Sequence, residues 1–193
     1  MLALVARAVA ARVSLIQIRE KDLQVRVLCA LVESAVRLTA GSATSLVVND
    51  RADVARSAGA DGVHLTARSL KADVVRRMFG PSWLIGVSAH SLDEARAARD
   101  EGADFATLGP VYRTQSKIAY GPPIGLPAFA EAASVLNPFP LVALGGISPE
   151  NLETIPPAGA SGVAAIRLFD EAEDLPRMVQ SINASFRANA ARE

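Results

Sequence analysis

Cysteine is almost absent from this chain. Cys29 is the only one, so no internal disulfide can staple the fold, and the sequence fits a reducing compartment. Its place among Val27, Leu28, Ala30 and Leu31 gives it a packing role. An excess of charge is absent too: 20 Lys and Arg balance 20 Asp and Glu. No overall field draws the protein to nucleic acid or to an anionic membrane, and an anionic ligand must be held locally. With two histidines and one cysteine, no cluster has the spacing of a zinc site, and no Gly-x-Ser-x-Gly run offers a nucleophile elbow. Long apolar runs are missing as well. Met1 to Ala11 is apolar enough to resemble a secretory leader, but Arg7 and Arg12 interrupt it and no small-residue cleavage site follows. Nothing approaches a membrane span. The segment reads as a helix and the protein as cytoplasmic.

What is present is a globular mixture: 193 residues, 50% apolar and 21% charged, the size of one domain spanning 1–193. Short runs of Val, Ile and Leu alternate with longer stretches of helical period, the sign of a parallel sheet covered by helices. The runs predict strands over Ser14 to Glu20, Ser45 to Asp50, Gly62 to Thr66, Leu84 to His90, Phe105 to Tyr112, Leu141 to Ile147 and Gly162 to Phe169. Helices are predicted between and after them at Leu23 to Thr39, Ala52 to Ala58, Ser69 to Phe79, Leu92 to Glu101, Leu126 to Leu136, Pro149 to Ile155 and Leu175 to Ala190. An internal echo supports the repeat. Ala58-Gly59-Ala60-Asp61-Gly62, Glu101-Gly102-Ala103-Asp104-Phe105 and Ala158-Gly159-Ala160-Ser161-Gly162 each close a helix on a glycine and open a strand, and helix termination explains these glycines fully.

Polar residues gather at the C-terminal strand ends: Gln17, Arg19 and Lys21, then Asn49 and Asp50, His64, Ser88 and His90, and Gly145 and Gly146. That end faces the ligand in a (β/α)8 TIM-type barrel and in a doubly wound open sheet alike, so periodicity leaves both open. A closed barrel needs eight strands, yet this chain begins in a helix and offers seven. The strand expected before Met1 is missing, which points to a misplaced start or to another element filling the gap. The gap exposes unpaired strand edges, and pairing of copies into a homo-oligomer would cover them.

Four segments carry chemistry. Arg19 and Lys21 follow an apolar strand two residues apart, on one side if the strand persists, where two cations suit a phosphate and a solvated strand end is the plain alternative. Asn49-Asp50 closes the next strand: the amide can bond a heterocycle and the carboxylate can hold a metal, or either can cap the following helix. The long loop from Gly109 to Gly125 carries Arg113, Thr114, Ser116 and Lys117, hydroxyls and cations able to envelop a diphosphate. Gly145-Gly146-Ile147 precedes a helix expected near Pro149, whose free amides can receive a phosphate, with tight turning as the alternative. His64 and His90 sit near strand ends, where a lone histidine is more often structural than catalytic.

Taken in order, Gln17-Ile18-Arg19-Glu20-Lys21, Val48-Asn49-Asp50-Arg51, Gly59 to Leu65, Ile85-Gly86-Val87-Ser88-Ala89-His90, Gly109-Pro110-Val111-Tyr112 with Thr114 to Lys117, and Gly145-Gly146-Ile147 resemble the thiamin phosphate synthase family over essentially the whole chain. The resemblance implies a (β/α)8 TIM-type barrel that lacks its first strand in this chain, and a transferase that couples hydroxymethylpyrimidine diphosphate with thiazole phosphate and releases pyrophosphate, with Mg²⁺ on the diphosphate. It implies that Gln17 and Asn49 contact the pyrimidine with Ser88 nearby, and that Arg19, Lys21, Thr114, Ser116 and Lys117 hold the pyrophosphate. Arg19, Lys21 and Lys117 would act catalytically by stabilising the leaving group. Asp50 would bind the metal and Gly146 the thiazole phosphate.

Three departures stand out. The family usually carries Gly-Gln-x-Asp after the His-Leu pair, whereas this chain reads Thr66-Ala67-Arg68-Ser69. Ser69 therefore stands where a second metal-binding Asp is usual, and the Mg²⁺ site is weakened. Arg167, expected in the last strand, takes the place of a small residue beside the thiazole phosphate. The third departure is the missing first strand. The similar thiazole tautomerases, isomerases that work by proton transfer, also lose the metal Asp, but their catalytic His would fall at Pro110. A degenerate barrel that only binds a thiamin phosphate is the remaining alternative.

Overall fold

The sheet is parallel throughout and its strands lie in sequence order: β1 (Leu15–Ile18), β2 (Ser45–Asn49), β3 (Gly62–Leu65), β4 (Leu84–Ala89), β5 (Phe105–Leu108), β6 (Leu141–Leu144) and β7 (Gly162–Ala164). An open doubly wound sheet reverses its order at a switch point. Here no reversal occurs, and the architecture is a TIM-like α/β fold of seven strands. The computed structural model describes residues 1–114 and 122–191. Among them β1 and β7 are not paired with each other.

The helices are α1 (Leu2–Ala10), α2 (Val25–Thr39), α3 (Ala52–Ala58), α4 (Ala72–Phe79), α5 (Leu92–Asp100), α6 (Gly125–Leu136), α7 (Arg167–Asp170) and α8 (Leu175–Ala190). In α2, Leu28, Val32, Ala35 and Thr39 recur at helical spacing and are the buried residues, so a single stripe faces the sheet. Strand side chains alternate in the same cause-and-effect way. Ile18, Leu46, Val48, Val63, Leu65 and Ile85 join α2, α3 and α4 in one apolar layer. Ala106, Leu108, Leu141 and Ala143 join Phe129 and Leu136 of α6 in another. The intervening positions, among them Gln17, Val47, Asn49, His64, Gly86, Ser88 and Thr107, therefore lie on the inner face. α1 and α8 meet beside the two sheet edges, where Ala8 and Ala11 pack against Leu175 and Val179 and Arg7 Nη2 donates to the Ala172 carbonyl at 3.1 Å.

The repeated helix-to-strand turns are built as expected, with Gly59, Gly102 and Gly159 all left-handed at φ 78°, 85° and 79°. The residue two positions on adds a bond the echo did not advertise. Asp61 Oδ2 accepts from the Leu46 amide and Asp104 Oδ2 from the Ile85 amide, each at 2.7 Å. The third copy has Ser161 and keeps only the backbone bond to the Leu141 carbonyl.

Four expectations are corrected. β1 ends at Ile18, so strand geometry does not carry Arg19 and Lys21 to a common side. β5 ends at Leu108, because Gly109-Pro110 and the close approach of Gly109 to the Leu144 carbonyl break the ladder. The helix expected from Pro149 is instead two 3₁₀ turns, Leu152–Thr154 and Pro156–Ala158, since adjacent prolines remove the donors a longer helix needs. Finally, β7 stops at Ala164, and Arg167 opens the short helix α7 on the surface rather than standing in a strand.

Candidate active site

The inner-face polar residues fall on neighbouring rungs. Gln17 pairs with Val47, Asn49 with His64, His64 with Gly86, and Ser88 with Thr107. One concave wall thus carries an amide from β1, an amide from β2, an imidazole from β3 and hydroxyls from β4 and β5. Gln17 is exposed while Asn49 and Ser88 are half-buried, which leaves their polar groups open to a ligand.

Asp50 follows Asn49 at φ 64°, a left-handed turn that Asp tolerates better than most residues. Its amide donates to the His64 carbonyl at 2.9 Å, which anchors the turn against β3. α3 starts at Ala52 without a side-chain cap, so neither Asn49 nor Asp50 does the capping. The neighbouring Arg51 closes on Asp53 through two bonds of 2.8 and 2.6 Å, which holds the Asp53 carboxyl below the usual carboxylate range. Arg51 is committed there. The Asp50 side chain is exposed and makes no hydrogen bond or ion pair among the described residues.

Ser69 is tied into its own turn: its Oγ accepts from the Thr66 amide at 2.8 Å and lies 3.1 Å from Thr66 Oγ1. It adds no carboxylate, and among the described residues no group of three or more His, Cys, Asp and Glu side chains could hold a metal. A single exposed carboxylate fits Mg²⁺, a cation that keeps several waters and takes its remaining ligands from substrate phosphates. Arg19, Lys21 and Arg68 lie exposed on the loops that follow β1 and β3.

On the far side, Gly146 sits at φ 67° beneath the Tyr112 and Arg113 backbone, where an added Cβ would come within 2.7 Å of both carbonyls. Gly145 lies similarly under Pro110. Asn151 fastens the turn by donating to the Gly146 carbonyl at 2.9 Å and accepting from the Ser148 amide at 3.0 Å. Tyr112 reaches Thr154 through a hydroxyl pair at 2.5 Å. Close backbone approach explains both glycines, and the phosphate-receiving helix expected behind them does not form. Thr114 is the last described residue before 122, and Ser116 and Lys117 lie outside the described residues. Arg167 follows the end of β7 and is exposed.

The histidines divide. His90 is exposed, with Nδ1 2.6 Å from the Gly109 carbonyl and its amide donating to Glu94, which belongs to the capped start of α5 at Ser91. His64 is buried, with Nε2 3.0 Å from Ser88 Oγ and 3.4 Å from Thr107 Oγ1. Burial pushes its imidazole down to about 4, so it is neutral at physiological pH. Thr107 escaped the sequence reading because a threonine within an apolar strand looks like an ordinary β-branched residue. Its placement one rung beside Ser88 needed the register.

Over residues 1–169 the sequence matches the thiamine monophosphate synthase family. The chain belongs to that family. It is similar to the thiamine-phosphate synthase of Moorella thermoacetica, 39% identical over 90% of this chain and 82% of that one. It is also similar to the thiamine-phosphate synthase of Chlorobium luteolum, 37% identical over 98% and 89% respectively. The solved thiamine phosphate pyrophosphorylase of Pyrococcus furiosus superimposes with a TM-score of 0.85 at 28% identity, covering 97% of this chain and 90% of the other. Family membership gives the wall of inner-face amides and hydroxyls a substrate class to be read against. Among the described residues no helix is long and apolar enough to cross a membrane.

Proposed function

We propose that this protein is a thiamin phosphate synthase working at the C-terminal rim of its seven-stranded sheet. Hydroxymethylpyrimidine diphosphate and thiazole phosphate are the substrates. The C–O bond between the pyrimidine methylene and the diphosphate breaks with its electron pair on pyrophosphate. The thiazole nitrogen then forms the new C–N bond to the methylene cation, giving thiamin phosphate. The observation that carries this reading is the shared inner face of Gln17, Asn49 and Ser88, with Asp50 in the turn directly beyond.

In this assignment Gln17, Asn49 and Ser88 orient the pyrimidine ring. Arg19, Lys21, Thr114, Ser116 and Lys117 hold the diphosphate and stabilise the charge that develops as it leaves. The Gly146 turn receives the thiazole phosphate through backbone amides, and Arg167 lies toward that end. Asp50 would hold Mg²⁺, which when bound neutralises negative charge on the diphosphate. The single free cysteine supports a reducing, cytoplasmic setting.

The decisive experiment is turnover of the two substrates to thiamin phosphate and pyrophosphate, with and without Mg²⁺. Metal-dependent product is expected. Bound ligands without product would move the reading to the isomerase or to a binding protein.

A further inference from the structure

His64 has no place among the ligand contacts assigned above, yet it is one of the most deliberately housed side chains of the inner face. Gly86, its partner on the next strand, has no side chain where a Cβ would come 2.6 Å from His64 Nδ1 and 2.3 Å from Phe105 Cζ. The bare backbone of β4 is the space both rings occupy. Phe105 then lies against the imidazole with ring centroids 5.7 Å apart and planes tilted by 44°. Wedged in this way, the ring has little freedom to turn about its own axis.

Its Nε2 is spent on two hydroxyls, Ser88 Oγ at 3.0 Å and Thr107 Oγ1 at 3.4 Å. The three groups differ in exposure: His64 and Thr107 are buried, whereas Ser88 is half-buried. Among the described residues Nε2 is the only side-chain partner of the Ser88 hydroxyl. A hydroxyl has one donor and two acceptor sites on a freely turning bond. Anchoring one of them to a fixed nitrogen sets where the others point.

We propose that His64 is a positioning residue for pyrimidine binding, acting through Nε2 to fix the Ser88 hydroxyl in the orientation that meets the ring, with Thr107 steadying the imidazole from β5. The proposal rests on the reading that Ser88 contacts the pyrimidine. His64 touches no substrate itself. Its loss leaves Ser88 in place but rotating, so the effect falls on pyrimidine affinity and spares the thiazole phosphate.

The test compares two amides of similar polarity and different reach. A glutamine at this position extends about as far as Nε2, an asparagine only about as far as Nδ1. His64→Gln is expected to hold the KM for hydroxymethylpyrimidine diphosphate within roughly threefold of wild type, and His64→Asn to raise it about tenfold, the scale of one hydrogen bond. The KM for thiazole phosphate should stay unchanged in both. Ser88→Ala should also cost about tenfold, and the double variant with His64→Asn should be no worse than about threefold beyond Ser88→Ala alone, because the two act as one unit. Equal behaviour of the Gln and Asn variants, or multiplied effects in the double variant, would overturn the proposal. If Ser88→Ala itself leaves the pyrimidine KM untouched, the assignment of Ser88 fails first, which is a different result from a Ser88 effect without a His64 effect. A measurement on the unaltered protein guards against variants that do not fold. The ¹⁵N resonance of His64 Nε2, one of two histidines in the chain, should shift when hydroxymethylpyrimidine diphosphate is added and not with thiazole phosphate. A resonance that ignores the pyrimidine sinks the idea.

Discussion

Arg76 on α4 and Asp104 at the start of β5 meet at 2.8 Å, and around that ion pair the same guanidinium donates to the carbonyls of Gly80, Pro81, Trp83 and Gly102. Asp104 in turn holds the Ile85 amide. One side chain therefore ties a helix end, the loop after it and two strand starts at the N-terminal end of the sheet, opposite the rim that carries the proposed site. Removing it strands several acceptors at once, so Arg76→Ala should lower stability by about 2–3 kcal/mol in denaturant titration. A lysine cannot reproduce the planar fork, and Arg76→Lys should recover less than about half of the loss. Both variants should keep the KM values of wild type, since the contact lies away from the ligand rim.

Gly146→Ala should fail for two reasons that add. The residue sits at φ 67°, and its Cβ would enter the 2.6–2.7 Å space beside Tyr112 and Arg113. The left-handed backbone alone costs an alanine about 1–2 kcal/mol, and the overlap with backbone atoms has no flexible side chain to give way. A stability loss of at least about 2 kcal/mol, together with weakened thiazole phosphate binding by calorimetry, is expected. A variant of wild-type stability would mean the turn is looser than described.

The buried His64 makes stability depend on pH. Its imidazole titrates near 4 when folded, because burial disfavours the charged form, against an ordinary value of 6.5. As pH falls, the unfolded chain takes up the proton first, so its contribution is fully present above about 6.5 and is lost progressively down to about 4. The full loss is roughly 3 kcal/mol. Unfolding free energies across that window, compared with His64→Gln, isolate it from the carboxylates. Parallel curves for the two proteins would remove His64 as the cause.

Asp50→Asn separates charge from backbone. Asparagine tolerates the left-handed turn at φ 64°, and the side chain it replaces makes no hydrogen bond among the described residues, so the melting temperature should hold. The Mg²⁺ concentration for half-maximal turnover should rise at least about tenfold if this carboxylate holds the ion. An unchanged magnesium response would place the ion elsewhere.

Much of this was legible in the residues themselves. Helices α3 and α8 begin and end where the apolar period does, and the three Gly-Ala turns announce the βα repeat. Periodicity alone did not give the strand order, because a barrel and an open sheet share the same alternation; the family resemblance pointed to the barrel, and the pairing of β1 through β7 in sequence order bears it out. Arg167 was misplaced since Ala164-Ala165-Ile166-Arg167-Leu168-Phe169 reads as one apolar run with no breaker to show that it turns into α7. The His64, Ser88 and Thr107 cluster joins residues far apart in the chain, and no local pattern encodes which of them share a rung.

The meeting of α1 with α8 has a kinetic side. Each strand pairs with the next in sequence, so the sheet can grow by adding neighbours over modest loops, whereas Arg7 and Ala172 are 165 residues apart. A contact of such separation rewards the chain only after nearly everything between is ordered. The helical seam should therefore form late and open early, and a substitution there such as Val179→Ala should speed unfolding while leaving the folding rate almost untouched.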